Sequence, residues 1–307
     1  MNGPFHSGFA ALLGRPNAGK STLLNALLGE KMAIVSAKPQ TTRQQIRGIL
    51  SDERSQIVFV DTPGYHDAKE PLNQAMVEQA LSAAADADVV LYLLDATRGV
   101  TAEDQSATGY LRGLLNQKKG LPVFCVVSKI DRVAKPHLLP LLERVSALLP
   151  WKEIIPVSAL QNDGLDILLK AIRSSLPEGP AYFPEDQISD LTERFRAAET
   201  VREKLFERLQ QELPYSVAVE IDSFEETDGL NRVRARIHVE RDSQKAIVIG
   251  KGGALLKEIG TAARKELEGL WSKKVFLELL VDVEKDWSRD PKALKRFGYL
   301  PAGRREA

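Results

Sequence analysis

The chain has 307 residues, of which 42 are basic and 42 acidic, so its formal net charge is zero. That length allows two domains, each with its own core, and the balanced charge excludes a whole-molecule field that attracts nucleic acid, so any such site has to be a local patch. One cysteine excludes an internal disulfide and suits a reducing cytosol; no signal peptide is expected at residues 1–7, and no apolar run is long enough to span a membrane.

From residue 7 to about 176, strand-like and helical patterns alternate. The strand-like runs are 9–13, 45–50, 57–60, 89–94, 123–127 and 154–157, and the helical patterns are 20–28, 72–84, 103–115, 138–148 and 165–175. Such alternation predicts an α/β domain with a mostly parallel sheet covered by helices on both faces. Ligands of such sheets bind beyond the carboxyl ends of the strands, so strand-end residues are the ones to inspect. Cys125, inside the 123–127 run, reads as a small core hydrophobe. His6, His66, His137 and His238 are scattered without metal-ligand spacing and read as structural or solvent-facing.

The first strand leads into Gly14-Arg15-Pro16-Asn17-Ala18-Gly19-Lys20-Ser21, followed by Thr22, and then into a helix with Leu23, Leu24, Leu27 and Leu28 on one face. This is G-x-x-x-x-G-K-S, a loop whose backbone amides wrap nucleotide phosphates while Lys20 neutralises β/γ charge and Ser21 ligates Mg²⁺. The helix N-terminus behind it adds positive potential. About forty residues on, the third strand ends in Asp61-Thr62-Pro63-Gly64. An aspartate there can hold Mg²⁺ through water, and the Gly64 amide can bond a γ-phosphate. Between the two lies Gln40-Thr41-Thr42-Arg43, where a threonine hydroxyl can complete the metal shell only when the γ-phosphate is present, which makes the loop a switch. Thr42 is favoured over Thr41, and the choice stays open at this level.

The fifth strand ends in Ser128-Lys129-Ile130-Asp131 and the sixth in Ser158-Ala159-Leu160, completing the five motifs of the Ras-like translation-factor class of GTPases. That class has Asn where Ser128 stands. The Asp131 carboxylate can accept from both N–H donors of guanine's pyrimidine edge, charge-assisted bonds worth roughly 1.5–3 kcal/mol each, whereas adenine turns an acceptor toward it. A bond lost through Ser128 costs only about 1 kcal/mol, so guanine selectivity with somewhat weakened affinity is expected. Tyr65 occupies the position of the water-orienting Gln of Ras-like switches. Hydrolysis without a partner is therefore expected to be slow. Lys20, Thr42 and Gly64 are the candidate catalytic residues.

Prolines at 177, 180 and 184 stop the alternation and read as a linker, which divides the chain into 1–177, 178–190 and 191–307. The last part reads as α-β-β-α-β: a helix with Leu191, Phe195, Ala198, Val201, Leu205 and Leu209 on one stripe, strands at 216–224 and 233–239, a helix at 254–270 and a strand at 274–283. Gly250-Lys251-Gly252-Gly253 precedes that second helix and matches G-x-x-G, the loop that clamps the nucleic-acid backbone in KH domains. Ile247, Ile249, Leu255 and Ile259 can floor a groove for unstacked bases, or equally belong to the core. Lys245, Lys251, Lys257, Arg264, Lys265, Lys273 and Lys274 give the stretch a local basic excess. The element order fits an α+β KH domain of type II, with its extra elements N-terminal.

A GTPase domain joined to such a KH domain resembles the Era family of bacterial ribosome-assembly GTPases over nearly the whole chain. The most specific pieces are 14–21, Pro39-Gln40-Thr41-Thr42-Arg43, 59–64, 244–250, and the tail from Asp286-Trp287 to Gly298-Tyr299. Tyr65 agrees with that family and Ser128 departs from it. The resemblance implies GTP and GDP binding with Mg²⁺, and binding near the 3′ end of small-subunit ribosomal RNA during maturation of that subunit. It also implies loose contact with the inner face of the cell membrane, and a monomer is expected. A regulatory GTPase whose C-terminal domain binds protein is the alternative.

Overall fold

The computed structural model describes residues 4–36, 38, 41–65, 70–210 and 213–300. Pro39, Gln40 and His66 lie outside them. The chain forms two compact units whose main division falls between Asp190 and Leu191.

The first unit runs β1 (His6–Gly14), α1 (Lys20–Leu28), β2 (Ile46–Ser51), β3 (Ser55–Asp61), α2 (Pro71–Asp86), β4 (Val89–Asp95), α3 (Ala102–Gln117), β5 (Val123–Ser128), α4 (Lys135–Ser146), β6 (Glu153–Pro156) and α5 (Leu165–Arg173). Its sheet has the order β2-β3-β1-β4-β5-β6, and only β2 pairs antiparallel. β3 and β4 are buried at every position, which explains why they read as unbroken apolar runs and not as alternating strands. Parallel pairing brings Gly14, Asp61, Asp95 and Ser128, the last residues of their strands, to one edge of the sheet. Cys125 is fully buried in β5, where burial pushes its thiol far above the ordinary range.

Residues 178–190, expected to be a linker, are fastened along the first unit. Ser7 N–H donates to the Pro177 carbonyl (3.1 Å), Gly179 N–H to that of Phe5 (3.0 Å), and Ile49 N–H to that of Ile188 (2.8 Å). The side-chain amide of Gln56, which is 1% exposed, accepts from the Tyr182 and Phe183 N–H groups and donates to the Phe183 carbonyl. Proline-rich sequence signals a break in the helix pattern but does not reveal the chain's binding partner.

The second unit runs α6 (Glu193–Arg208), β7 (Ala218–Thr227), β8 (Leu230–Val239), α7 (Asp242–Ile249), α8 (Ala254–Trp271), β9 (Lys274–Val283) and α9 (Pro291–Arg296). β7 and β8 pair antiparallel, and β8 and β9 pair parallel. Helix α7 corrects the expected α-β-β-α-β order to α-β-β-α-α-β. It has 8 residues, and only Val248 is buried, too little periodic signal to announce a helix. Val201, Leu205, Ile237, Val248, Ile259 and Leu267 share one core. Ile259, 0% exposed, therefore packs inside and is removed from the proposed groove floor.

Gln56→Ala is expected to lower unfolding stability by about 2 kcal/mol, because it orphans buried backbone N–H groups of the 178–190 segment. Urea denaturation of the variant checks this.

Candidate functional site

The loop after β1 is shaped by glycine. Gly14 sits at φ +154°, and a Cβ there would lie 2.5 Å from the Leu93 carbonyl oxygen, so no side chain fits. Gly19, at φ +95°, caps α1 in the left-handed region. Asn17 also has positive φ, a conformation asparagine tolerates. Lys20 opens the helix and curls back to donate to the carbonyls of Gly14 (3.0 Å) and Arg15 (3.0 Å). Burial lowers its ammonium to about 8, and Arg15 adds to this while Asp61 opposes it. A buried ammonium in an incomplete charge environment is a fit for phosphate oxygens.

Ser21 Oγ lies 2.7 Å from Thr42 Oγ1 and donates to Asp61 Oδ2 at 2.7 Å; Thr42 Oγ1 donates to the same oxygen at 3.3 Å. The Thr41 hydroxyl instead donates to the Lys38 carbonyl (2.8 Å). Asp61 is fully buried, and burial raises its pKa against the opposing pull of Lys20, Ser21 and Thr42. Its Oδ1 is buried with no hydrogen-bond partner. Two hydroxyls gathered on Oδ2, beside a carboxylate whose Oδ1 has no partner, are hard oxygen donors that fit Mg²⁺, which takes few protein ligands beside water and phosphate. Among the described residues no group of three His, Cys, Asp or Glu side chains is placed to hold a metal, so hydroxyl and phosphate oxygens have to complete any shell here.

Gly64 lies against the loop: a Cβ on it would be 2.6 Å from Pro16 Cα. The next residue, Tyr65, donates its N–H to the Gly14 carbonyl (3.0 Å), and its hydroxyl lies 3.0 Å from Ser106 Oγ. A cleft of about 620 Å³ is lined by Asn17, Gly19, Lys20, Ser21, Thr22 and Gly64, and also by Thr42 and Lys129. That volume suits a nucleotide. Ala18, within the loop, is buried.

Asp131, Ser158, Ala159 and Leu160 stand outside that lining, at the ends of β5 and β6. Ser158 Oγ donates to Asp131 Oδ1 at 2.6 Å and so orients the carboxylate. Ser158 is buried, while Asp131 and Leu160 are exposed and Ala159 is partly exposed. Ser128 Oγ lies 2.6 Å from the Ala18 carbonyl and 3.2 Å from that of Leu94, tying β5 to the phosphate loop as the class Asn is expected to do. Lys129, at φ +61°, bonds the Asn17 carbonyl and pairs with Asp95 at 2.7 Å. Asp95 belongs to none of the sequence motifs, although it ends β4 just as Asp61 ends β3. Its position at a strand end is the signal in the sequence that points to it.

In the second unit, Gly250 (φ +74°) lies where a Cβ would be 2.8 Å from Leu255 Cβ, and Gly252 and Gly253 also have positive φ with open space around them. Lys251, Gly252 and Lys257 are exposed, Ile249 and Gly253 are partly exposed, and Ile247 is 55% exposed. Lys245 Nζ lies 4.0 Å from Asp282. Arg264 pairs with Glu268 and Lys273 with Glu226, which reduces the basic excess read from the sequence.

Sequence comparison assigns both units. Residues 9–129 match the family described as a 50S ribosome-binding GTPase, and residues 212–288 match the KH domain. The chain is thus a P-loop GTPase carrying a KH domain. GTPase Era of Geobacter metallireducens is 50% identical over 298 residues, covering 96% of this chain and 98% of the relative. An Aquifex aeolicus Era variant bound to GDP·AlF4⁻ superposes with a TM-score of 0.92 at 41% identity, covering 97% of this chain and 100% of that one. A structure of Era with MgGDPNP and nucleotides 1506–1542 of 16S ribosomal RNA gives 0.91 at 41% identity, with the same coverage. The chain belongs to the Era family of GTPases.

Thr42→Ala is expected to weaken binding of a non-hydrolysable GTP analogue about tenfold while leaving GDP affinity within about twofold. Thr41→Ala should leave both unchanged. Titrations in Mg²⁺ buffer check the pair.

Proposed function

We propose that this protein is a GTP-hydrolysing switch that binds small-subunit ribosomal RNA near its 3′ end and assists maturation of that subunit. The observation that carries the reading is the full-length similarity to the Era structure holding MgGDPNP and a segment of 16S ribosomal RNA.

In this reading, Gly14, Asn17, Ala18, Gly19, Lys20, Ser21 and Thr22 cradle the phosphates of GTP or GDP. The buried Lys20 ammonium sits opposite negative charge as it develops on the β/γ bridge, so it serves hydrolysis as well as binding. Ser21, Thr42 and Asp61 hold Mg²⁺, which supplies charge neutralisation between the β- and γ-phosphates. Gly64 brings its amide to the γ-phosphate because no side chain holds the segment off Pro16. Asp131, oriented by Ser158, selects guanine; Ser128, Lys129, Ala159 and Leu160 build the walls around it. Tyr65 offers no amide to orient the attacking water, and its hydroxyl is already engaged near Ser106, so turnover is slow until a partner orders the segment. Asp131→Ala is expected to abolish discrimination between GTP and ATP, checked by nucleotide competition.

Gly250, Lys251, Gly252 and Gly253 clamp an RNA backbone at the start of α8, with Ile249 against a base and Lys245 and Lys257 flanking the phosphates. Lys251→Glu and Gly252→Asp are both expected to abolish crosslinking to the RNA without unfolding the domain, since a Cβ at Gly252 meets nothing within 4 Å and Asp tolerates its backbone conformation. RNA crosslinking that survives both would point to a protein partner for this unit. A monomeric state, a cytoplasmic site of action and peripheral contact with the inner membrane face complete the proposal. Among the described residues no helix is long and apolar enough to cross a membrane.

A further inference from the structure

Arg15, inside the phosphate loop, is 4% exposed, an unusual position for a guanidinium. Its side chain leaves the loop and meets α3. Nε donates to Asp104 Oδ1 at 3.1 Å, Nη1 lies 3.9 Å from Glu103 Oε2, and Nη2 is buried with no hydrogen-bond partner. Asp104 is 0% exposed. Its Oδ1 also accepts from the Tyr92 hydroxyl (2.7 Å), and its Oδ2 accepts from Thr101 N–H (2.9 Å) and Thr101 Oγ1 (2.8 Å), closing the cap of α3.

Both carboxylate oxygens are therefore fixed by groups outside the loop, and Arg15 is held by an anchor built from β4 and the start of α3. The Arg15 carbonyl, meanwhile, accepts from Lys20 Nζ (3.0 Å) and from Ala18 N–H (3.2 Å). One residue thus joins the curled loop backbone on one side to a buried ion pair on the other. A buried charge pair is seldom the stablest filling for a core, so its presence beneath a phosphate loop calls for a role other than stability.

We propose that Arg15 is a positioning residue for nucleotide retention: its ion pair with Asp104 holds the loop's backbone where the bound nucleotide requires it. The inference rests on the reading that residues 14–21 hold the phosphates. Uptake of a fluorescent GDP derivative by the unaltered protein tests that reading separately.

The experiment measures release of that derivative from the full-length protein, beside thermal unfolding, for Arg15→Lys, Asp104→Asn, their combination, and Tyr92→Phe. Arg15→Lys keeps the charge opposite Asp104 and is expected to fold, but loses the fixed Nε geometry. It and Asp104→Asn should each speed release about tenfold, the factor for one charge-assisted bond. The double variant should be no faster than the faster single one, because both remove the same contact. Tyr92→Phe deletes another bond to the same Asp104 oxygen without touching the loop, so it should lower the unfolding midpoint and leave release unchanged. Unaltered release in Arg15→Lys, multiplied effects in the double variant, or equal acceleration by Tyr92→Phe would each overturn the proposal. Should Asp104→Asn fail to fold, Arg15→Lys set against Tyr92→Phe decides it.

Discussion

Two opposite charges buried beneath one loop govern this molecule. Lys20 and Asp61 are both enclosed, and burial works against each: it lowers the ammonium and raises the carboxyl, while their mutual attraction offsets part of the cost. Neither is fully satisfied by the protein, since Lys20 turns to two loop carbonyls and one Asp61 oxygen has no partner. An anion over the lysine and a cation beside the aspartate would relieve both at once. The parallel sheet makes this arrangement possible by ending β1 and β3 side by side, and the glycines let the backbone close around it.

Much of this could be read in the residues themselves. The phosphate loop announced itself by spacing, and α1 begins and ends where its leucine pattern does. Strand-end motifs were legible because buried parallel strands are unbroken apolar runs that stop at a polar residue. Contacts between distant segments were not legible. Arg15 and Asp104 are 89 residues apart, and nothing periodic links them. Thr41 and Thr42 are chemically alike, and only the backbone direction after residue 41 decides which hydroxyl faces Ser21. Helix α7 is too short, and too little of it is buried, for a pattern to form. Ile259 could be groove or core by type alone, and packing against α6 and the sheet decides for core.

The neutral overall charge conceals local differences in how the basic side chains are used. Arg264 and Lys273 answer acidic neighbours, whereas Lys251 and Lys257 have no salt bridge among the described residues and stand in solvent around the glycine loop. Desolvating an already paired cation brings little net attraction, while an unpaired lysine next to a helix N-terminus keeps its full field for a phosphate. Composition alone counts all of these as equivalent.

The segment from 178 to 190 has a further effect. An open parallel sheet ends in two rims of unpaired peptide groups, and such rims invite another chain to dock strand against strand. Here the β2 rim is covered at its middle by the chain's own backbone, through Ile49 N–H on the Ile188 carbonyl and the Gly48–Ser189 bridge. The opposite rim, β6, is four residues long and closes with a proline. The first unit is therefore covered at one rim by its own chain and offers only a short, proline-ended strand at the other, both of which oppose templated fibre growth.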